Sequence, residues 1–461
     1  MIPTTREIDT QLEQLRTAVS GTVALPGEPG YELATPWNVA VPVRPAAVVA
    51  VENDADIAAT VRFAADHGLK VAVQRTGHGA VPLGGDVLLV HTGRLIECVI
   101  DPATHTARIG AGLVWQDVID AAAPHGLAPL SGSATTVGVV GYLTGGGIGP
   151  MVRTYGLSSD HVRAFEFVTG NGEVLRATPD EHAELFWGLR GGKATLGIVS
   201  SVEIDLVPAS HFYGGAVYFD GIDAATVAHA WLDWCADLPE HSSTSLAFLR
   251  LPPLPQVPAP LAGKLTVAVR FASLADGAEA EAFIHTVRSV ATPVLDGIAV
   301  LPWAAVGAVH ADPVDPMPTH EYSALTGELT HDAIDALLSV AGPGSHSPQT
   351  VVEVRLLGGA LAREPRHRSA FCHRDADFAL MVAGVLVPAT AEDVIGHART
   401  VDRVLSPWTT GRRLPNFAAG SDPDTIACAY DDDTWHWLSA LADEHDSAGV
   451  LRVGHVVRRD H

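Results

Sequence analysis

Two glycine-rich segments constrain the fold of this 461-residue chain more than any other feature of its sequence. Residues 131–149 read Ser-Gly-Ser-Ala-Thr-Thr-Val-Gly-Val-Val-Gly-Tyr-Leu-Thr-Gly-Gly-Gly-Ile-Gly, with seven glycines among small and apolar residues. Residues 74–80 read Gln-Arg-Thr-Gly-His-Gly-Ala and follow an apolar run, which predicts a strand that ends in a tight loop presenting His78. Because glycine has no Cβ, backbone N–H groups in both segments can approach a large, flat or anionic ligand closely.

Neither segment matches a common phosphate-binding motif. Both lack a Gly-x-Gly-x-x-Gly turn that opens a helix after a strand, and both lack Gly-x-x-x-x-Gly-Lys-Ser/Thr. A Rossmann domain and a P-loop domain are therefore disfavoured. Taken alone, the loop at His78 is more typical of a solvated histidine between two glycines, and it is the second segment that favours a ligand site.

The composition is that of a well-buried globular protein. Apolar residues make up 47% of the chain, charged residues 18%, and the mean hydropathy is +0.20. A chain of this length is too long to fold around one hydrophobic core, which predicts two domains. The formal net charge of -24 argues against a nucleic-acid or anionic-membrane partner, because such surfaces need clustered Lys and Arg.

Cysteine, histidine and terminal patterns give three further expectations. The four cysteines are far apart and form no Cys-x-x-Cys pair, which predicts reduced thiols. Among the 22 histidines, His367 with His373 and His436 with His445 lack the spacing of a zinc site, so no metal is expected. The N-terminal segment has no signal-peptide core and no apolar run has the length of a membrane span, so we expect a soluble cytoplasmic protein.

Periodicity predicts the secondary structure along the chain. Helices are predicted over residues 8–19, 54–67, 115–123, 223–237, 276–290, 330–341 and 434–444. Strands are predicted over residues 39–43, 48–51, 71–73, 87–90, 98–100, 107–109, 164–169, 174–177, 198–207, 214–219, 245–250, 264–272, 350–357 and 377–385. From residue 209 onward the alternation indicates an antiparallel sheet covered by helices, the α+β class.

The two glycine-rich segments together resemble the FAD-binding region of the vanillyl-alcohol oxidase and p-cresol methylhydroxylase superfamily. The resemblance is strongest to its berberine-bridge-enzyme-like and 6-hydroxynicotine-oxidase-like oxidoreductases, and it extends from about residue 36 to the C terminus. Three more segments carry it: Arg-Thr-Tyr-Gly-Leu at 153–157 with Asp160, Leu-Phe-Trp-Gly-Leu-Arg-Gly-Gly-Lys-Ala-Thr-Leu-Gly-Ile-Val at 185–199, and Asp-Ser-Ala-Gly-Val-Leu-Arg-Val-Gly-His at 446–455. It implies an FAD-binding domain of the p-cresol methylhydroxylase type in two parts, residues 1–208 and 411–461, with a substrate domain inserted at 209–410.

The resemblance also implies a set of FAD contacts. His78 matches the histidine that relatives join through its ring to the 8α-methyl group of FAD. Many relatives add a second bond from a cysteine, but Ala134 stands at that position, so we expect attachment through His78 alone. Thr195 stands where relatives commonly have an asparagine, so this chain departs from the family's pattern at that position. The family's cofactor contacts correspond to Gln74, Arg75, Thr76, Gly77, His78, Gly79, Val137, Gly138, Gly141, Tyr142, Gly145, Gly147, Ile198, Val199 and Asn416.

Oxidation by a flavin requires hydride transfer to N5 and a base for the substrate's O–H or N–H proton. Related oxidases place polar residues of one strand over the flavin. The corresponding strand here is the one predicted over residues 350–357, and Glu353 and Arg355 lie on the same face of it because side chains alternate between the two faces of a strand. Two interpretations stay open: Glu353 is catalytic, or it forms an ion pair with Arg355 on a solvated face. Tyr322 is the first alternative as the base and Tyr142 the second.

The expected function is that of an FAD-dependent oxidase or dehydrogenase acting on an alcohol, a sugar or an amine. Oxygen or another acceptor would take the electrons. The alternatives are an oxidative cyclase or desaturase of secondary metabolism and a flavin-binding protein without turnover. Neither the small-molecule substrate nor the oligomeric state is predicted.

Overall fold

The computed structural model describes residues 5–418, 420 and 422–458, with side chains described from residue 12 onward. Three sheets organise this part of the chain. The first part contains these elements: α1 (Thr5–Ala18), β1 (Thr22–Ala24), β2 (Ala47–Ala50), α2 (Asp54–His67), β3 (Lys70–Gln74), β4 (Val87–His91), β5 (Cys98–Asp101), β6 (Thr106–Gly110), α3 (Trp115–Ala122), α4 (Val139–Leu143), α5 (Val152–Tyr155), β7 (Val162–Val168), β8 (Val174–Ala177), α6 (Ala183–Leu189) and β9 (Ile198–Asp205).

The first sheet has the strand order β1-β2-β4-β3, with β2, β4 and β3 parallel. Every residue of β4 is buried, as expected for the central strand of a parallel sheet. Helix α2 connects β2 to β3, and it has the predicted boundaries because the Asn53 side chain accepts a hydrogen bond from the Asp56 amide and Gly68 ends the helix at a φ of 66°. This unit carries the chain to the loop that holds His78.

The second sheet is antiparallel, with the order β5-β6-β9-β7-β8. Strands β7 and β8 form the hairpin predicted across residues 170–172. The apolar core of this layer lies between the sheet and helices α3, α4 and α6, and it includes the fully buried Trp115, Phe165 and Phe167. Helix α4, which lies within the second glycine-rich segment, is thereby fixed in place.

The third sheet has eight strands, in the order β13-β10-β12-β11-β16-β17-β15, with β14 paired to β10. Its elements and their covering helices are β10 (His211–Asp220), α7 (Ala224–Asp237), β11 (Ser242–Arg250), β12 (Leu265–Ser273), α8 (Gly277–Arg288), β13 (Pro293–Asp296), β14 (Ala299–Pro302), β15 (Thr319–Thr326), α9 (His331–Ala341), β16 (Val351–Leu356), β17 (Phe378–Val385) and α10 (Ala391–Leu405). All its pairings are antiparallel, and the helices bury one face through residues such as Trp231, Leu337 and Val401. The α+β class and the helix-covered antiparallel sheet are therefore confirmed.

The closing segment contains α11 (Pro423–Ala427) and α12 (Asp432–His445) and returns to the first part. The Val71 amide donates to the Val450 carbonyl at 2.9 Å, which adds the closing segment to the edge of the first sheet. The buried Asp446 carboxylate accepts from the amides of Val450 and Leu451 and from Arg458. The precise domain boundaries stay a prediction.

Some predicted elements differ from the structure. Residues 39–43 form no strand, because Pro42 and Pro45 interrupt the segment and only Val43 makes an isolated bridge, to Leu83. Strands β13, β14 and β15 and helix α10 were not predicted.

Candidate active site

The loop after β3 holds His78 half-buried and uncharged. Thr76 Oγ1 lies 2.8 Å from His78 Nδ1, whereas Nε2 is buried and has no hydrogen-bond partner among the described residues. Burial lowers the pKa of His78 to about 4, and the charge of Asp312 opposes this shift in part. At neutral pH the imidazole is therefore uncharged, with a lone pair on one ring nitrogen.

Trp37 and Asn38 join this loop to the eight-stranded sheet. The Trp37 ring stacks on His78 with centroids 4.6 Å apart, and its backbone amide donates to the Thr76 carbonyl at 2.8 Å. The Asn38 side chain accepts from the Thr319 amide and donates to the Thr319 carbonyl, both at 3.0 Å. The start of β15 is thus held beside the histidine loop.

The second glycine-rich segment contains α4, which two polar side chains join to the closing segment. Lys193 Nζ donates to the Gly141 carbonyl at 3.0 Å and to Asn416 Oδ1 at 2.8 Å, and Asn416 Nδ2 donates to the Tyr142 carbonyl at 2.8 Å. Burial lowers the pKa of Lys193 to about 8. No role for Lys193 was predicted from the sequence, although it follows two glycines in the Gly-Gly-Lys motif after α6 that is part of the family resemblance.

Position 145 must be glycine because the Asn416 side chain packs directly against its backbone. A Cβ at this position would lie 2.1 Å from Asn416 Oδ1 and 2.8 Å from the Lys193 Cδ. We therefore expect Gly145→Ala to displace Asn416, to lower the free energy of unfolding by about 1–3 kcal/mol, and to weaken FAD retention on gel filtration. Gly396→Ala on α10, where a Cβ meets nothing within 4 Å, is the control and should be neutral or slightly stabilising. Unchanged FAD retention in Gly145→Ala would contradict this account of the contact.

The other predicted cofactor residues surround the same two loops. Gln74 is buried and donates to the Leu33 and Ala34 carbonyls, and Arg75 Nε donates to the Gly112 carbonyl. Gly77 and Gly147 have φ values of 73° and 82°, which favour glycine. The remaining positions are as follows: the Val137 carbonyl accepts from the Trp115 amide, Gly138 precedes α4, a Cβ at Gly79 or Gly141 would meet nothing within 4 Å, and Ile198 and Val199 are buried in β9.

Glu353 and Arg355 share a face of β16, as predicted, but that face is buried. The Glu353 carboxylate accepts from Arg270 Nη1 at 2.6 Å, from Ser245 Oγ at 2.6 Å and from Arg355 Nη2 at 2.9 Å. The two guanidinium groups hold the pKa of Glu353 well below its usual range, although burial opposes them. The interpretation of a solvated ion pair is wrong because Glu353 is fully buried.

Tyr322 lies on the opposite face of the sheet. Its hydroxyl donates to Asp402, and the Arg413 guanidinium lies over its ring at 4.8 Å. Burial and Asp402 raise its pKa. This placement contradicts Tyr322 as the base, because its side chain faces the helix layer. Tyr142 is buried with its ring 5.4 Å from that of Trp115, and burial raises its pKa also.

Two carboxylates of this region were missed by sequence analysis. Glu321 points to the same face as Glu353, because β15, β17 and β16 pair Ser323, Met381 and Glu353 in one row and Glu321 is two residues from Ser323. Burial raises the pKa of Glu321, and the Thr319 hydroxyl at 3.3 Å opposes this. Asp312 follows Ala311, whose φ of 52° is unusual for alanine, and its charge acts on His78, Glu321 and Arg355. Strand β15 was not predicted, because its sequence shows no alternation of apolar and polar residues.

These residues fit a bound FAD. His78 has a buried ring nitrogen without a described partner, and Gly79 and Gly141 border open space. Tyr142, Gly145, Lys193 and Asn416 form a fixed wall at α4. Within the described ranges, no helix is long and apolar enough to cross a membrane. No group of three or more His, Cys, Asp or Glu side chains that could hold a metal ion was found among the same residues.

Comparison with known proteins gives the class. A family model described as an FAD binding domain matches residues 45–178. The chain is 31% identical to (R)-6-hydroxynicotine oxidase of Paenarthrobacter nicotinovorans over 304 residues, 64% of each chain. It is 34% identical to the FAD-linked oxidoreductase pgmH of Aspergillus terreus over 198 residues, 41% of this chain and 40% of that protein. The matched regions thus span less than two thirds of both relatives.

Solved structures match over nearly the whole chain. The structure of 6-hydroxy-D-nicotine oxidase from Arthrobacter nicotinovorans superposes with a TM-score of 0.83 and 25% identity, covering 96% of this chain and 98% of that one. Berberine bridge enzyme from Eschscholzia californica gives a TM-score of 0.81 at 16% identity over 98% of this chain and 99% of that one, which shows a common fold. Fold and site together define a flavin-binding protein of the p-cresol methylhydroxylase type. The chain contains an FAD binding domain and is similar in sequence and fold to FAD-linked oxidoreductases of the vanillyl-alcohol oxidase and p-cresol methylhydroxylase superfamily, the resemblance that its sequence predicted.

Proposed function

We propose that this protein is an FAD-dependent oxidase that holds its flavin through His78 alone and oxidises a C–H bond next to an alcohol, sugar or amine group. The observation that carries the proposal is the neutral, half-buried His78 ring, whose buried Nε2 has no hydrogen-bond partner among the described residues. The names of the relatives, which include a 6-hydroxynicotine oxidase and a carbohydrate oxidase, support the same range of substrates.

The role of His78 follows from its protonation state. A neutral imidazole has a lone pair that can form a bond to carbon, whereas an imidazolium has none. In the tautomer in which Nδ1–H donates a hydrogen bond to Thr76 Oγ1 at 2.8 Å, the lone pair lies on Nε2. Bound FAD would supply the hydride acceptor at N5 and would pass the electrons to oxygen or another acceptor.

Glu321 is the better proton acceptor of the two carboxylates on the sheet. Glu353 is held as a carboxylate by Arg270 and Arg355, which makes it a weak base. Burial raises the pKa of Glu321, and β15 begins beside the His78 loop through the Asn38 contacts. We propose that Glu321 takes the substrate's O–H or N–H proton, and that Glu353 positions Arg355 on the same face.

The test of function is anaerobic mixing of the flavin-loaded protein with amines, sugars and alcohols. A substrate should bleach the visible flavin absorbance, and readmitted air should restore the colour with release of hydrogen peroxide. A flavin that none of these compounds reduces would instead favour a binding protein without turnover. A cyclised or desaturated product would favour the oxidative cyclase or desaturase.

Glu321→Gln should slow flavin reduction by about 10²–10⁴-fold, the usual contribution of a positioned base, and leave flavin content unchanged. In the wild type the reduction rate should rise as pH rises through the pKa of Glu321, because only the carboxylate accepts a proton. Glu328→Gln, an exposed position just after β15, is the matched control. Equal reduction rates in both variants and the wild type would remove Glu321 from the mechanism.

A further inference from the structure

Two histidines and two aspartates form a histidine–aspartate cluster on the helices that cover the eight-stranded sheet. Helix α7 supplies His229 and Asp233, and α9 supplies His331 and Asp335, so each helix carries a histidine with an aspartate four residues later. This spacing places both side chains on one face of their helix. The two helices pack on the face of the sheet opposite to Glu353, so the cluster is separate from the proposed flavin site.

The contacts of the cluster cross between the helices. His229 Nε2 lies 3.0 Å from Asp335 Oδ1, and His331 Nε2 lies 3.0 Å from Asp233 Oδ1. The Nδ1 atoms of the two histidines face each other at 2.8 Å, with the ring centroids 5.0 Å apart. The His229 and His331 side chains are 30% and 56% exposed, so a solute can reach both rings. The two histidines are 102 positions apart in the chain, and no spacing in the sequence indicates this arrangement.

Two neutral imidazoles cannot satisfy all three contacts. A neutral ring carries one N–H, so two hydrogens are available for one nitrogen–nitrogen contact and two nitrogen–carboxylate contacts. Because an ionised carboxylate only accepts, both Nε2 atoms have to donate, and two Nδ1 lone pairs then face each other. A cation that binds both lone pairs removes this repulsion, and the two carboxylates supply negative charge that attracts it.

We propose that the histidine–aspartate cluster binds one divalent transition-metal ion of the copper type through the Nδ1 atoms of His229 and His331. Asp233 and Asp335 would accept from the Nε2–H groups, as carboxylates beside metal-bound histidines commonly do. Because the cluster supplies two imidazoles, water would complete the coordination.

The distance between the two nitrogens indicates the geometry of the ion. Two metal–nitrogen bonds of about 2.0 Å that meet at about 90° place the nitrogens about 2.8 Å apart, whereas a tetrahedral angle places them about 3.3 Å apart. The Nδ1 atoms of His229 and His331 are 2.8 Å apart. This distance favours an ion of square-planar preference, Cu²⁺ or Ni²⁺, over tetrahedral Zn²⁺, and Cu²⁺ forms the tighter complexes of the two.

Copper titration of the flavin-loaded protein, without an affinity tag and with glycine as a competing chelator, tests this proposal. One equivalent of Cu²⁺ should bind and give an electron paramagnetic resonance spectrum with two imidazole nitrogens. Asp335→Ala should lower the Cu²⁺ affinity about 10-fold, because it removes an outer partner of a metal-bound histidine. His229→Ala and His331→Ala should each lower it further and leave one imidazole nitrogen in the spectrum. His285→Ala, at an exposed position of α8, is the control and should bind copper as the wild type does.

The substituted side chains lie on the outer surface of the helix layer, so flavin content and the urea midpoint should stay close to those of the wild type. Equal Cu²⁺ affinity in the wild type, His229→Ala and His331→Ala would overturn the proposal, because the copper would then lie elsewhere. A wild type that binds no copper in competition with glycine would also overturn it, and so would a spectrum without two imidazole nitrogens.

Discussion

Glu353→Gln is expected to lower the free energy of unfolding by about 3–5 kcal/mol, the usual effect of removing one partner from a buried ion pair. The substitution keeps the volume of the side chain but leaves the Arg270 and Arg355 guanidinium groups facing each other without a carboxylate. Because Glu353 is fully buried, water cannot compensate for the lost charge. Equilibrium urea unfolding of flavin-loaded samples measures the difference.

The control for Glu353 is Glu52→Gln. Glu52 pairs with Arg94 at 2.9 Å, but both side chains are more than 40% exposed, so its loss should change the free energy of unfolding by less than about 1 kcal/mol. The pH dependence has a defined sign. The pKa of Glu353 is depressed in the folded state, so its stabilisation is full above the unfolded value of about 4.3 and is lost as pH falls through the folded pKa. A stability difference that is equally small for both variants, or that does not shrink in acid, would contradict this assignment.

Arg153→Ala is expected to destabilise the protein by at least about 3 kcal/mol, because it would leave buried carbonyls without their charged donor. Among the residues that the structure describes, no carboxylate forms an ion pair with Arg153. Its guanidinium donates to the Ser242 and Leu238 carbonyls at 2.9 Å each and to the Leu357 carbonyl, and burial lowers its pKa. These bonds join α5 of the first part to the eight-stranded sheet, so the substitution should also loosen the contact between them.

Limited proteolysis and urea unfolding together measure this effect. Arg153→Ala should be cleaved faster than the wild type, and Arg153→Lys should be intermediate because one ammonium cannot reach three diverging carbonyls. Arg163→Ala is the control, since Arg163 and Asp205 form an exposed pair whose loss should amount to less than about 1 kcal/mol. Equal stability of Arg153→Ala and Arg163→Ala would show that the carbonyl contacts contribute little.

The local signals in the sequence predicted much of the first part. Helix α2 has the predicted ends because Asn53 is a strong start signal and Gly68 a strong stop signal, and the β7–β8 hairpin was predicted because its turn contains Gly170 and Gly172. The family resemblance predicted two FAD-contacting loops from residues that are contiguous in the chain, and this assignment of contacts stays a prediction. Helix α10 had a readable signal, because Val394, Ala398, Val401 and Leu405 recur at helical spacing.

The chemistry of the sheet could not be predicted in the same way. The bonds of Glu353 to Ser245 and Arg270 join residues 108 and 83 positions apart, and no local pattern reports such pairings. The choice of Tyr322 failed because its face of β15 depends on how that strand pairs with β17. Glu321 and Asp312 were missed for the same reason, since it is the contacts of Trp37 and Asn38 with residues 314 and 319 that bring their segment to the His78 loop.

Acid precipitation of the purified protein, followed by visible spectra of pellet and supernatant, tests the central proposal that His78 holds the flavin. The wild-type pellet should stay yellow, and the colour of His78→Ala should pass to the supernatant. His91→Asn, a substitution of a second buried histidine whose pKa is lowered to about 4, should behave as the wild type. Colour released from the wild type would contradict attachment through His78, and a wild-type protein without flavin after expression with FAD present would contradict the proposed function itself.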